Sequence, residues 1–386
     1  MQTRILLPVF TLYYLLFNLT LTAQSSEKSI TIYPTQEKIT INGELNETTW
    51  SNCNKAKDFW QNFPADTSLS KSKTEAFLTF NDDFLFVAAI CYDTINKPYI
   101  IQSLKRDFSY PISDCFVISL DPLSDKTNGF SFGLNPFGVQ REGLIAGGGS
   151  MGVSTDWDNR WYGEVKRYSD KWTLEMAIPF KTLRYKPGVG EWRVNFSRND
   201  LKQNENSSWC KVPRQYNIST LAFTGKIIWS IPPKKAGTNI SHIPYIIGKV
   251  AKDYNSSAPP TMEGNAGLDA KLALNSSLNL DVTINPDFSQ VEVDRQLTNL
   301  TRFNLFFPER RYFFIENSDL FSNFGFRQIR PFFSRKIGLY NGNAVPIIGG
   351  VRLSGKINKL WRIGIMDMHT AQQSKFELLS KNYFVA

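Results

Sequence analysis

Apolar and polar residues alternate with period two along most of this chain, and the alternation changes character part-way. From about Ile30 to Trp229 it breaks into short runs separated by turn residues, with no strong helical period. TEAFLTF and FLFVAAICYD flank Asn81-Asp82-Asp83, whose side chains favour turns, and together they predict a hairpin. DCFVISLD, GFSFGLNP and GVQREGLI continue as a meander, with Pro and Gly between them. In KWTLEMAIPF the residues Trp172, Leu174, Met176 and Ile178 share one face, as do Trp192, Val194 and Phe196 in EWRVNFSRND. Many strands at this spacing predict a β-sandwich of immunoglobulin-like or jelly-roll type over residues 30–229.

A Pro- and Lys-rich linker, residues 230–239, precedes a stricter alternation. In GLDAKLALNSSLNLDVTIN, Leu268, Ala270, Leu272 and Leu274 oppose Asp269 and Lys271. Past the Asn275-Ser276-Ser277 turn, Leu278, Leu280, Val282 and Ile284 oppose Asn279, Asp281, Thr283 and Asn285. SHIPYIIGKVAKD and the hairpin around Asn358-Lys359 add further strands. A soluble amphipathic hairpin would share this pattern, but ten-residue strands with one apolar face suit a transmembrane β-barrel. Residues 240–386 hold five or six such strands, fewer than the smallest closed barrels need, so the expectation is an incomplete barrel, the N-terminal part of a longer, truncated protein. Between two hairpins lies FFPERRYFFIENSDLF, aromatic and charged at once. It predicts an inserted, plug-like segment: Glu309, Arg310, Arg311 and Glu316 pair with the lumen wall while Phe307 and its neighbours pack on one another.

Residues 1–23 read as a cleaved secretory signal peptide: Arg4 precedes an apolar stretch, and Leu21-Thr22-Ala23 ends in a small residue. With a barrel following, the expected location is the Gram-negative outer membrane, with its lipid as a partner and other outer-membrane proteins as candidates. The chain of 386 residues carries a formal net charge of +9, yet its Lys and Arg are interspersed with acidic residues and form no basic run, which argues against nucleic acid. Only His242 and His369 are present, excluding a His-based triad or multi-histidine zinc site in the first two hundred residues. Cys53, Cys91, Cys115 and Cys210 fit no metal signature; isolated core thiols and two bridges both remain open.

Two resemblances add to this reading. ITINGELNETTWSNC, then DFWQNFP, KTEAFLTFNDDFLFVAA, DKWTLEMAIPFKTLRY and EWRVNFSRND resemble, in order, a family 9 carbohydrate-binding module. The resemblance implies two antiparallel sheets and a surface for a polysaccharide or oligosaccharide. GLDAKLALNSSLNLDVTINPDFSQVEVDRQLTNLTRFNLFFPERRYFFIENSDLF, FFSRKIGL and VPIIGGVRLSGK are similar to an outer-membrane family catalogued as domain of unknown function 5916. That resemblance implies architecture and location rather than a reaction.

Sugar sites stack indoles on C–H faces and fix hydroxyls with charged or amide groups. Trp50, Trp172 and Trp192 are assigned to packing. Trp60, Trp157 and Trp161 lie in polar, loop-like sequence, the last two beside Asp158 and Arg160, and these five residues are the candidate sugar contacts. No cofactor is implied, although Asp156 and Asp158 carry the hard oxygen ligands that suit calcium, without a regular ligand spacing. The leading expectation is a non-enzymatic protein that captures or admits polysaccharide fragments. The alternatives are an accessory part of a glycan-degrading enzyme, with Asp156/Asp158 or Glu292/Asp294 as carboxylate pairs, and an assembly protein whose sandwich docks partners.

Overall fold

A computed structural model describes residues 27–150, 152–155, 157–235, 240–252, 254, 259–274, 278–286, 309, 311–315, 317–322, 331–340, 343–358, 361–373 and 377–386. The expected signal peptide therefore lies outside the described residues.

Fourteen strands build the first half. In chain order they are β1 (Ser29–Ile32), β2 (Lys55–Ala56), β3 (Trp60–Phe63), β4 (Thr74–Phe80), β5 (Phe84–Tyr92), β6 (Cys115–Asp121) and β7 (Gly129–Leu134). There follow β8 (Gln140–Ile145), β9 (Val153–Ser154), β10 (Tyr162–Arg167), β11 (Lys171–Pro179), β12 (Glu191–Asp200), β13 (Glu205–Ser208) and β14 (Gly225–Trp229). One sheet runs β1-β14-β12-β6-β7-β8-β9, with β13 and β3 branching from β12; the other runs β10-β11-β5-β4-β2. β1 pairs with β14 in parallel, Pro34 bridges Phe80 in the same sense, and the other described strand pairings of the sandwich are antiparallel.

Alternation decides which side chains meet between the sheets. Leu78, Val87, Trp172, Leu174 and Met176 face Phe116, Ile118, Phe132, Trp192, Val194 and Phe196 in one buried cluster. The β4–β5 hairpin turns as its residues require, since Asn81 Oδ1 accepts the backbone N–H groups of Asp83 (2.9 Å) and Phe84 (2.8 Å).

The N-terminal motif has a structural explanation. Gly43 lies against β10 at φ +80°, where an added Cβ would come within 2.6 Å of the Lys166 nitrogen. The N–H groups of Asn42 and Gly43 each donate to Glu175 at 3.0 Å, and the Trp50 indole donates to it at 2.8 Å. Trp50 thus plugs a second core with Ile39, Phe77 and Phe86, on the outer face of the smaller sheet. All four cysteines are free, and Cys91, Cys115 and Cys210 are buried thiols.

Residues 230–235, expected as linker, lie on the sandwich: Tyr185 donates to the Lys234 carbonyl at 2.5 Å and Gly188 N–H to that of Pro233 at 3.1 Å. A six-stranded antiparallel sheet follows, in the order β15 (Ile240–Ala251), β16 (Thr261–Ala273), β17 (Leu278–Ile284), β20 (Ile347–Lys356), β21 (Arg362–Thr370) and β22 (Lys381–Val385). The short pair β18 (Leu339–Tyr340) and β19 (Asn343–Ala344) stands apart, and two single-turn helices, α1 (Tyr312–Ile315) and α2 (Asp319–Ser322), lie between β17 and β20. The described sheet is open, with β15 and β22 as its edges.

Candidate functional site

Five sandwich residues were expected to contact sugar, and the structure divides them. Trp157 and Trp161 are 4% and 3% exposed and belong to the main core. This corrects the expected loop platform. Trp157 packs on Phe130 with ring centroids 5.4 Å apart, and Trp161 meets Phe132 edge-on at 5.5 Å. An indole so enclosed presents no face to a sugar ring; the stretch is irregular, as its polar flanks suggest, but packing against β7 buries its two indoles. Arg160 and Asp158 are exposed, and Arg160 lies over the Tyr162 ring at 5.4 Å. Trp60 is half-buried on β3, with Lys211 Nζ 5.1 Å from its ring centroid and Phe63 close by under Arg214. Of the three indoles, Trp60 alone keeps surface that a ligand can reach.

Asp158 joins a carboxyl cluster with Asp107 and Glu142, ligand atoms within 4.8 Å of one another. Glu142 is fully buried on β8. The Trp161 indole donates to it at 3.1 Å, Arg106 Nε at 3.0 Å, and the second Arg106 nitrogen closes an ion pair. Burial, then the charge of Glu142, pushes the Asp107 carboxyl up to about 6. The cluster suits calcium poorly, because a guanidinium and an indole N–H already occupy the Glu142 oxygens. Neither Glu142 nor Arg106 stands out in the sequence, since no motif marks either residue. Asp156, Glu292 and Asp294, from the carboxylate pairs, lie outside the described residues.

The second region is the C-terminal sheet. Its strand register puts Ile240, Ile246, Met262, Leu268, Leu280, Val282, Ile284, Val351 and Phe384 on one face, and Ile246 and Met262 are 89% and 81% exposed. The opposite face is polar along β17 and β20. Arg352 donates to Asp281 at 2.7 and 3.1 Å with both residues buried, and Thr283 donates to Asp269 at 2.5 Å.

The aromatic segment packs on this polar face: Phe313, Phe314 and Phe321 are buried with Ile337, Ile347, Met366 and Met368. Phe313 covers the Arg352 guanidinium at 5.2 Å, and Asn317 donates to Ser354 at 3.1 Å. Glu309 and Arg311 pair with each other (2.7 Å), and Arg311 also donates to the Ile337 and Ser334 carbonyls at 2.8 Å. This differs from the expectation that they pair with the wall: the contacts seen for Arg311 go to Glu309 and to the Ile337 and Ser334 carbonyls, within the stretch between β17 and β20. Phe307, Arg310 and Glu316 lie outside the described residues.

Short connections, from Ala273 to Leu278 and from Lys356 to Arg362, lie at one end of the sheet, as does the start of β15, where Ile240 pairs with Leu272. The sandwich meets this end. Lys356 forms an ion pair with Asp125, and the Asn128 amide oxygen accepts from Arg362 at 3.1 Å.

Residues 236–376, covering β15 to β21 and the segment between them, match the family described as Domain of unknown function (DUF5916). No curated protein matches the chain. A family 9 carbohydrate binding module from Caldicellulosiruptor kristjanssonii, solved with cellotriose, is similar at 18% identity and TM-score 0.38, over 54% of this chain and 96% of that one. With glucose bound, the module aligns at 18% identity and TM-score 0.39, over 55% and 100%. A candidate carbohydrate-binding protein from Bacteroides uniformis aligns at 13% identity and TM-score 0.41, over 53% and 100%.

Proposed function

We propose that the chain is an outer-membrane protein in which the six-stranded sheet is part of a transmembrane barrel wall and the sandwich binds saccharide at its periplasmic end. The observation that carries the wall is the segregation of its faces: large apolar side chains outward on β15, β16, β17, β20 and β22, joined on β21 by Ile363 and Ile365 beside the polar Asp367 and His369, and a buried Arg352–Asp281 pair inward beneath the aromatic segment. In water such an apolar face would drive association; in lipid it is the stable arrangement. Among the described residues no helix is long and apolar enough to cross a membrane, so strands are the element in question. The sandwich lies at the end with the short connections, which in bacterial barrels is periplasmic. The aromatic segment, packed on the lumen face, then acts as a plug or constriction.

Saccharide binding is supported by the ordered motifs of the first half and by the half-open Trp60 surface. Membrane insertion is tested by extracting the expressed chain with carbonate or urea and by its heat-modifiable mobility in detergent gels; full release by carbonate sinks the wall reading. Titration of cellotriose into the wild type and Trp60→Ala tests the sandwich, with binding lost in the variant as the expected result.

A further inference from the structure

Where the chain leaves β1 for the other sheet, the edge of the sandwich holds a cavity that does not include Trp60. Residues 33–35 cross to β4: the Thr35 N–H donates to the Phe80 carbonyl at 2.8 Å, and Thr79 Oγ1 to that of Tyr33 at 2.8 Å. β2 pairs with β4 only at Ala76 and Phe77, and beyond them a gap separates β4 from the single-turn helix Thr48–Asn52. The gap is a cavity of about 190 Å³ with no charged side chain in its lining. Tyr33, 55% exposed, and Pro34 stand at its open side, and Cys53 is part of its wall.

The hydrogen bonds around the cavity leave acceptors over. Thr49 Oγ1 gives its proton to Glu37 at 2.6 Å, so its 2.8 Å bond with Thr35 Oγ1 uses the Thr35 proton. Both hydroxyl protons are thus spent inside the protein, while each oxygen keeps a lone pair. Gln36 and Asn52 add side-chain amides with no hydrogen-bond partner among the described residues. Asn54 keeps its side-chain oxygen after donating to the Thr31 carbonyl at 2.8 Å.

We propose that this cavity binds one neutral pyranose ring, as a saccharide site separate from Trp60. Acceptor hydroxyls beside open amides call for a ligand whose O–H groups both donate and accept. A carboxylate would meet the two threonine oxygens, and Glu37 bonded to one of them, with no cation in the lining to balance it. The Tyr33 ring gives the apolar C–H face of a sugar a surface to lie on. The volume lies below the roughly 300–1,000 Å³ of pockets for drug-sized ligands, so the cavity takes one ring and not a chain. The sugar class follows from this lining and does not depend on the Trp60 surface.

Cys53 reports on the cavity, since the other three thiols are buried. Burial pushes it up to about 11, so the test is iodoacetamide labelling of the full chain in detergent at about pH 9, read at Cys53 by mass spectrometry. Glucose is expected to slow the labelling saturably, over about 1–100 mM. Replacing both exposed amides, Gln36→Ala with Asn52→Ala, should weaken this protection about tenfold without touching the core. Glucuronate should protect about tenfold less than glucose, and Trp60→Ala should be protected as the wild type is. Cellotriose separates two sources of such a ring: protection by both sugars marks a chain end, protection by glucose alone a free sugar, and either supports the site. No protection by glucose, undiminished protection in the double variant, or equal protection by glucuronate overturns the proposal. Protection lost in Trp60→Ala also overturns it and leaves the Trp60 reading standing.

Discussion

At the scale of single residues, buried carboxylates shape the sandwich. Burial, then the Glu142 charge, raises Asp107 to about 6, and burial raises Asp114 and Asp121 similarly. A carboxyl raised in the folded state binds a proton more tightly there than in the unfolded chain. Its cost is therefore absent below pH 3.8 and grows as pH rises towards 6. Asp107→Asn should leave the unfolding free energy unchanged at pH 4 and raise it at pH 7.5 by about 1 kcal/mol after allowance for solvent screening, read from denaturant unfolding at the two pH values. Asn also tolerates the φ of 62° at this position. An equal effect at both pH values would refute the assignment. Glu175 is a further buried carboxyl that burial raises, even with three donors reaching it. Trp50→Phe removes one donor and should cost about 1–3 kcal/mol in denaturant unfolding, whereas a change within error would mean that water replaces the indole. The Asn-Gly and Trp of that opening motif were legible as letters, but their purpose was not: they clasp the outer face of a sheet, and Glu175, their common partner, lies more than a hundred residues downstream.

At the scale of elements, period-two alternation located most of the strands of six residues or more, because a strand buried on one face cannot slip by one residue without inverting; short strands such as β2, β3, β9 and β13 carry too few positions to show it. The KWTLEMAIPF and EWRVNFSRND faces enter the core as their letters require. Alternation failed where a residue sat outside a regular run. Trp157 and Trp161 have charged neighbours in sequence and aromatic neighbours in space, and only the second set decides burial. The same logic makes the C-terminal strands testable. Leu280 points from the apolar face of β17, and Asn279 beside it points to the polar one. Leu280→Arg should cost about 2–4 kcal/mol if that face meets lipid and should cut the membrane-inserted fraction. Asn279→Gln should change little. Equal insertion of Leu280→Arg and wild type would argue for a face that meets protein or water instead.

At the scale of the whole molecule, the Asp125–Lys356 pair joins the halves. Burial alone would raise Asp125, but the bond and charge of Lys356 together with the backbone N–H groups of Thr127 and Asn128 outweigh it and hold the carboxyl below its usual 3.8. The pair therefore contributes above pH 3.8 and is lost as pH falls below it. Lys356→Glu should loosen docking at pH 7, read as faster proteolysis between the halves, and the double exchange with Asp125→Lys should restore protection. Failure of the double exchange would show that the ion pair does not hold the halves. By itself the sequence determined the all-β class, the change of texture near residue 240 and the polarity of each strand face, because these follow from local periodicity. The tertiary structure alone decided which indoles are buried, that Glu309 and Arg311 pair within their own segment, and that Asp125 and Lys356 join the halves. Those outcomes depend on partners far apart in sequence, brought together only when packing fixes the strand order and the sandwich comes to rest on the short turns of the sheet.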